Sequence, residues 1–213
     1  MNKMEIFDQL QNYLLNKKKP SQYIKNMMED GKFNEEPFDV FLELRNTEQE
    51  KKFHPEGNVL NHTLMVVDEA AKVKDESSDV IVFMWAALLH DIGKSKTTIK
   101  RNNRWTSYDH DIVGKDLAER FLYKFGLDDD FVKKVSSLIR WHMQILYVNR
   151  NLPYANLKKM VSEVSIKDIS LLSVCDRMGR GNLNDKDICD INKQNEYFVK
   201  KAQNEQKKLS FQM

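Results

Sequence analysis

Cysteine is scarce in this sequence, with only Cys175 and Cys189 present. Two thiols build neither a disulfide framework nor a zinc cluster, and their scarcity fits a reducing compartment. Glycine (seven) and proline (four) are also few among 213 residues. With so little punctuation the apolar runs stay long, which argues for helices joined by short turns. An excess of one charge is missing too: 34 basic residues face 32 acidic ones, a net of +2. General nucleic-acid binders carry a basic excess, so the composition argues against one. The short basic clusters at 17–19 and 207–208 read as solvated ends. No apolar run is long enough to span a membrane, and the N-terminus MNKMEIFDQL lacks an apolar signal core. The expected location is therefore cytoplasmic, with no membrane partner.

What is present is ordinary globular composition, 41% hydrophobic and 31% charged, arranged with helical periodicity. Residues 3–15 form a short helical pattern. Pro20 and Ser21 open a second helix with Ser21 as its N-cap and Gly31 as its stop. Phe38, Phe41, Leu42 and Leu44 mark a further short segment. Val59, His62, Val66, Ala70 and Val73 recur at three and four residues and share one face. The stretch from Asp79 to Asp91 is apolar nearly all round, as a central buried helix is, and Gly93 ends it.

Residues 95–108 are polar and read as a surface loop. Further helices are expected from Asp109 or His110 (Leu117 and Phe121 inward), over 130–147 (Val135, Leu138, His142 and Ile145 in line) and over 166–178 (Ile166, Ile169, Leu172 and Asp176 in line). Gly179 and Gly181 close the last of these. A charged helical tail runs from Asp185 to Leu209. Period-two alternation is nearly absent, so the expected class is all-α. The organisation expected is one domain over 1–213, with an N-terminal extension (1–53), a core (54–181) and a C-terminal tail (182–213).

Taken singly, His62 or His142 in an apolar stripe reads as a packed core residue, and Asp176 as a helix end paired with Arg177 or Arg180. Taken together they read differently. His62, His90, His110 and His142 all fall on inward faces or ends of successive helices, joined by Asp91 and Asp176. Buried carboxylates among imidazoles need compensation. A divalent metal provides it, and helices bringing one ligand each to a common centre are how bundles build such sites. Histidine and carboxylate ligands suit iron, manganese, cobalt, nickel or zinc.

The order of these residues resembles the HD superfamily of metal-dependent phosphohydrolases, named for the pair seen here as His90-Asp91. That pattern is a histidine, the His-Asp pair and a distant aspartate, matched by His62, His90, Asp91 and Asp176. A two-metal subset adds two histidines in the places of His110 and His142. HPEGNVLNHTL, AALLHDIGK, YDHDIVGKDLAERFL and CDRMGRG further resemble the HD domain of bacterial tRNA nucleotidyltransferases. The chain has no room for the nucleotidyltransferase head, and no polymerase-type carboxylate pair is visible. The resemblance therefore implies a stand-alone hydrolase of the HD-type helical bundle, without CCA addition, and leaves a tRNA-related substrate open.

The resemblance further implies that His62, His90, Asp91 and Asp176 hold a first metal, and that Asp91, His110 and His142 hold a second. The implied reaction is attack of metal-activated water on a nucleotide or other small phosphomonoester or phosphodiester. Asp91 and Lys94 are the expected catalytic residues, and Lys94, Arg180 and Arg177 the expected phosphate contacts. Trp105, Tyr108 and Arg104 either form a pocket wall that stacks on a base or pack over the bundle. His54 is expected at the rim. Two other readings stay open: a di-iron HD-fold oxygenase, and a metal-containing nucleotide sensor without turnover.

Overall fold

The computed structural model describes residues 2–211. Its helices are α1 (Lys3–Asn16), α2 (Pro20–Glu29), α3 (Val40–Arg45), α4 (Val59–Val73), α5 (Val80–Leu89) and α6 (Lys94–Thr97). They continue with α7 (His110–Tyr123), α8 (Asp129–Trp141), α9 (Gln144–Asn149), α10 (Leu157–Glu163), α11 (Ile166–Met178) and α12 (Asp185–Ser210). A two-stranded antiparallel ribbon, β1 (Ile99–Arg101) and β2 (Arg104–Thr106), interrupts them. The all-α class holds, with this ribbon as its one addition among the described residues.

The bundle is organised around α5. Asp79 caps it by accepting from the amides of Ile81 and Val82, and every side chain from Val82 to Leu89 is buried. A helix apolar on all sides needs neighbours on all sides. They are α4, α8 and α11, with α1 closing the remaining side. Phe7 of α1 stacks on Trp85 at 4.6 Å between ring centroids, so the first fifty residues share the central core. Asn58, Asp128 and Ser165 cap α4, α8 and α11 through the same kind of side-chain acceptance.

Four local expectations are corrected. Ser21 is not an N-cap: Pro20 takes the first helical position, and Ser21 turns inward to Asp68, its amide at 3.0 Å and its hydroxyl at 2.6 Å. The segment 130–147 is not one helix, because the chain breaks at His142 and Met143 between α8 and α9. The polar stretch 95–108 is more than a loop. Asn102 and Asn103 adopt φ 47° and 62°, the backbone of a two-residue hairpin turn that asparagine tolerates.

Gly93, lastly, does not end α5, which stops at Leu89; it precedes α6 with φ −66°. Its small size serves packing. A Cβ there would lie 2.1 Å from the His110 carbonyl oxygen and 2.6 Å from the Gly114 nitrogen, so the missing side chain lets the start of α7 close on the turn after α5. Gly179 does the same where α11 meets α4, for a Cβ would lie 2.5 Å from Val66 Cγ2. These two approaches bring His110 and Asp176 toward the centre.

Among the described residues no helix is long and apolar enough to cross a membrane.

Candidate metal centre

Each expected ligand comes from a different part of the bundle. His62 lies on α4, His90 is the C-cap of α5, and Asp91 follows it in the turn. His110 opens α7, His142 is the C-cap of α8, and Asp176 lies in the last turn of α11. All six are buried.

The orientation of the imidazoles is set locally. His90 Nδ1 lies 2.9 Å from the Ala87 carbonyl, and His142 Nδ1 lies 2.6 Å from that of Ile139. Both carbonyls belong to the last turns of helices, where no intrahelical partner remains. His110 Nδ1 lies 2.7 Å from the Ser107 carbonyl. Since a carbonyl only accepts, each of these Nδ1 atoms carries the proton, and each Nε2 is left with a bare lone pair.

His62 differs, with Nδ1 2.9 Å from Glu56 Oε1 and Nε2 hydrogen-bonded to Asp176 Oδ1 at 3.0 Å, so that both ring nitrogens face carboxylates. The Glu56 contact is close but not aligned as a hydrogen bond. The same Glu56 oxygen stands 2.9 Å from His54 Nδ1, which places His54 at the rim.

Asp91 stands between the bare nitrogens and divides its two oxygens. Oδ2 faces His90 Nε2 at 3.2 Å, His62 Nε2 at 3.7 Å and Lys94 Nζ at 2.7 Å. Oδ1 faces His110 Nε2 at 3.4 Å and His142 Nε2 at 3.8 Å. Asp176 Oδ1 lies 3.0 Å from His62 Nε2. Two trios thus share Asp91, His62–His90–Asp91 and Asp91–His110–His142, and the ligand atoms within each lie close enough to meet at one ion.

The donor set fits divalent metal better than it fits itself. His110 Nε2 and His142 Nε2 face each other at 3.2 Å, yet with both protons at Nδ1 neither can donate. His90 Nε2 is buried without a hydrogen bond, and Asp91 Oδ2 accepts no aligned one although Lys94 Nζ stands 2.7 Å away. Opposed lone pairs and a buried carboxylate met by one ammonium cost free energy that a further cation removes. The two clusters are consistent with one or two divalent ions.

Protonation follows the same lines. Burial opposes ionisation of Asp91, but Lys94 and then His90 outweigh it and hold the carboxyl well below its usual range. Asp176 is held low against burial by His62 and Arg180. Burial drives His110 down to about 3, only partly opposed by Asp91, and lowers His142 with help from His90. His62 is raised instead, because Asp176 and Glu56 outweigh its burial. His110 and His142 are therefore neutral at pH 7, as metal ligands must be.

Lys94 leans into this centre as expected. It is buried, held by Asp91 and by Gln49 Oε1 at 2.8 Å. Arg180 stands at the edge, Nη2 3.9 Å from Asp176 Oδ1, with its buried Nε unpaired. Arg177 points to α12 and donates to Gln194 Oε1 at 2.5 Å. Cys175, the nearest thiol in sequence, is buried and its pKa is pushed up to about 12, so it offers no nucleophile.

Glu56 and Gln49 are the participants the sequence reading missed. HPEGN showed that a carboxylate precedes α4, but not that it turns back onto two imidazoles. Burial opposes Glu56 ionisation, yet the imidazoles of His54 and His62 hold its carboxyl far below the usual range. Partners of this kind orient metal-binding histidines. Glu56→Gln is expected to weaken divalent-metal binding about 10- to 100-fold with little change in fold. Competition titration against a chelating indicator measures this, and equal affinities would reduce Glu56 to packing.

The family model described as "HD domain" matches residues 59–178, more than half of the chain. A stretch of 98 residues is 30% identical to the Multifunctional CCA protein of Psychromonas ingrahamii, covering 46% of this chain and 22% of that one. Another of 95 residues is 35% identical to the Multifunctional CCA protein of Halorhodospira halophila, covering 45% and 21%. Over 65 residues, 34% identity is found with the A-adding tRNA nucleotidyltransferase of Deinococcus radiodurans, covering 30% and 15%. The chain matches no more than about a quarter of the length of these relatives. The matched segment contains His62, the His90-Asp91 pair, His110, His142 and Asp176 in order, and the chain belongs to the HD-domain family.

Proposed function

We propose that this protein is a metal-dependent phosphohydrolase acting on a nucleotide or related phosphoester. The observation that carries this reading is the division of Asp91, one buried carboxylate with an oxygen toward each of two histidine clusters. In this reading His62, His90, Asp91 and Asp176 hold one ion, and Asp91, His110 and His142 hold the other. Metal bound by these residues would supply Lewis acidity toward water and the phosphoryl group at neutral pH.

The protein's own groups do the rest. The Nδ1 contacts to carbonyls and to Glu56 hold each imidazole turned toward the centre. Lys94 Nζ, beside Asp91 and fixed by Gln49, brings a positive charge to the place where phosphoryl oxygens would sit. Arg180, with an unpaired Nε at the edge, is assigned to the substrate phosphate. Arg177, committed to Gln194, would have to leave α12 to join it. The relatives' names concern CCA and tRNA nucleotidyl transfer, which supports a nucleotide-derived substrate, and the scarcity of cysteine supports a reducing cytoplasm.

The test is elemental analysis beside hydrolysis of an aryl phosphate and a bis-aryl phosphate. One to two equivalents of a divalent transition metal are expected, with turnover lost on chelation and restored by metal. Absence of metal after reconstitution with several divalent ions would overturn the reading. Metal with dioxygen consumption and no ester hydrolysis would replace it with an oxygenase.

A further inference from the structure

The ribbon between α6 and α7 carries a feature that phosphoester chemistry at the metals does not use. From Ile92 to Tyr108 there is no acidic residue and there are five basic ones, Lys94, Lys96, Lys100, Arg101 and Arg104. Two are already paired, Lys94 with Asp91 and Lys96 with Glu43 at 2.7 Å. Among the described residues, Lys100, Arg101 and Arg104 have no carboxylate within ion-pair distance. Glu50 touches the ribbon only by accepting from the Trp105 amide at 3.3 Å.

The register makes this costly. Arg101 pairs directly with Arg104, and Ile99 with Thr106. Opposed residues share a face, so two exposed arginine side chains leave the end of the ribbon on the same side. Like charges directly opposite destabilise a two-stranded ribbon. The arrangement is nonetheless ordered. Arg101 Nη1 donates to Thr106 Oγ1 at 3.0 Å, and its guanidinium lies 4.8 Å from the centre of the Tyr108 ring. The Asn102-Asn103 turn closes the tip, and Thr98 and Ser107 join across the base at 2.7 Å. Tyr108 itself is 65% exposed.

The ribbon also has a fixed relation to the site. The segment leaves it at Lys94, whose Nζ touches Asp91, and returns at His110. Strands of three residues reach about 10 Å from such a base.

We propose that this ribbon is a strand-binding arm. Arg101 and Arg104 contact backbone phosphates of a single-stranded nucleic acid whose scissile phosphate lies at the metal centre, and Tyr108 stacks on one of its bases. The inference rests on the phosphohydrolase reading and names the class of its substrate. An anion bound by both arginines relieves the repulsion of like charges on one face, and arginines beside an aromatic ring that keeps one face free of Arg101 are what sequence-tolerant strand binding uses. Inorganic polyphosphate would satisfy the arginines but leave the ring idle. The near-neutral net charge is no objection, because the basic excess is local to the arm.

Fluorescence anisotropy of a labelled oligoadenylate, with metal-loaded full-length protein, tests this. R101Q/R104Q is expected to bind about tenfold more weakly, with the slope of log affinity against log salt reduced by about 1.4. Tyr108→Ala is expected to weaken oligoadenylate binding about fivefold or more and to leave inorganic tripolyphosphate binding unaltered. Thermal midpoint and metal content confirm that each variant folds.

Unweakened binding in R101Q/R104Q overturns the arm, as does undetectable binding by the parent protein. Equal affinity for tripolyphosphate with no effect of Tyr108→Ala shows a polyanion site only, and overturns it too. Aryl phosphate hydrolysis on the same parent sample reports separately on the metal centre. Oligoadenylate binding without hydrolysis would sink the hydrolase reading and keep the arm, and hydrolysis without binding would do the reverse.

Discussion

Asp91→Ala is expected to lose both metals and to lower ester hydrolysis by about a thousandfold or more, the several kcal/mol that metal-ion catalysis contributes. No other ligand is shared, since each oxygen of Asp91 faces a different cluster. The same change strips Lys94 of its ion pair while leaving it buried against Gln49 alone. An uncompensated buried charge costs about 3–5 kcal/mol, so the alanine variant should also be less stable. Asp91→Asn keeps the shape and removes only the charge, and should lose metal with a smaller fall in stability. Metal content, turnover and thermal unfolding of the two variants together decide the matter. Two retained equivalents in Asp91→Ala would show that the carboxylate does not bridge.

Gly93→Ala should be the most damaging conservative change outside the ligands. Its Cβ would stand 2.1 Å from the His110 carbonyl oxygen and 2.9 Å from Gly114 Cα. Both are backbone atoms, so no side chain can rotate away, and α6 and α7 must separate. Overpacking of this kind costs about 1–3 kcal/mol, or a fall of about 2–12 °C in the unfolding midpoint. His110 moves with the start of α7, so metal stoichiometry is expected to drop toward one while the cluster of His62 and His90 persists. Gly126→Ala is the control. Gly126 has φ +67° but nothing within 4 Å of an added Cβ, so its penalty is conformational only, about 1 kcal/mol. Equal effects at the two positions would contradict the packing account.

The candidate ligands stood out in the sequence because histidine and aspartate are rare residues in apolar surroundings. Inside α4 and α11 and just past the end of α5 they break a pattern that periodicity otherwise makes plain. What the sequence hid was set by contacts between distant segments. Gly93 looked like a helix stop, and only the arrival of α7 shows why it has no side chain. Glu56 looked like a charged turn residue until His54 and His62 closed on it. The ribbon was missed because three-residue strands are too short for alternation to register, although Asn102-Asn103 was a turn signal in plain view. The break at His142 was invisible, since Val135, Leu138, His142 and Ile145 keep helical spacing across it. Helix α10 lay in a polar stretch that offered too few apolar positions to define a face.

The way these helices end has an electrostatic consequence. The C-termini of α5, α8 and α11 converge on the centre, bearing His90, His142 and Asp176 in or just beyond their last turns. Each aligned run of peptide dipoles leaves about half a negative charge at that end. Against the one positive end that α7 brings where His110 opens it, these three ends leave the spot attractive to cations and hostile to anions before any side chain is counted. A phosphate arriving at the empty centre meets two carboxylates and three negative helix ends, with chiefly Lys94 and Arg180 to offset them. Once metal is bound, the sign of the field reverses. Loading order is built into the direction of the helices: metal first, phosphate second.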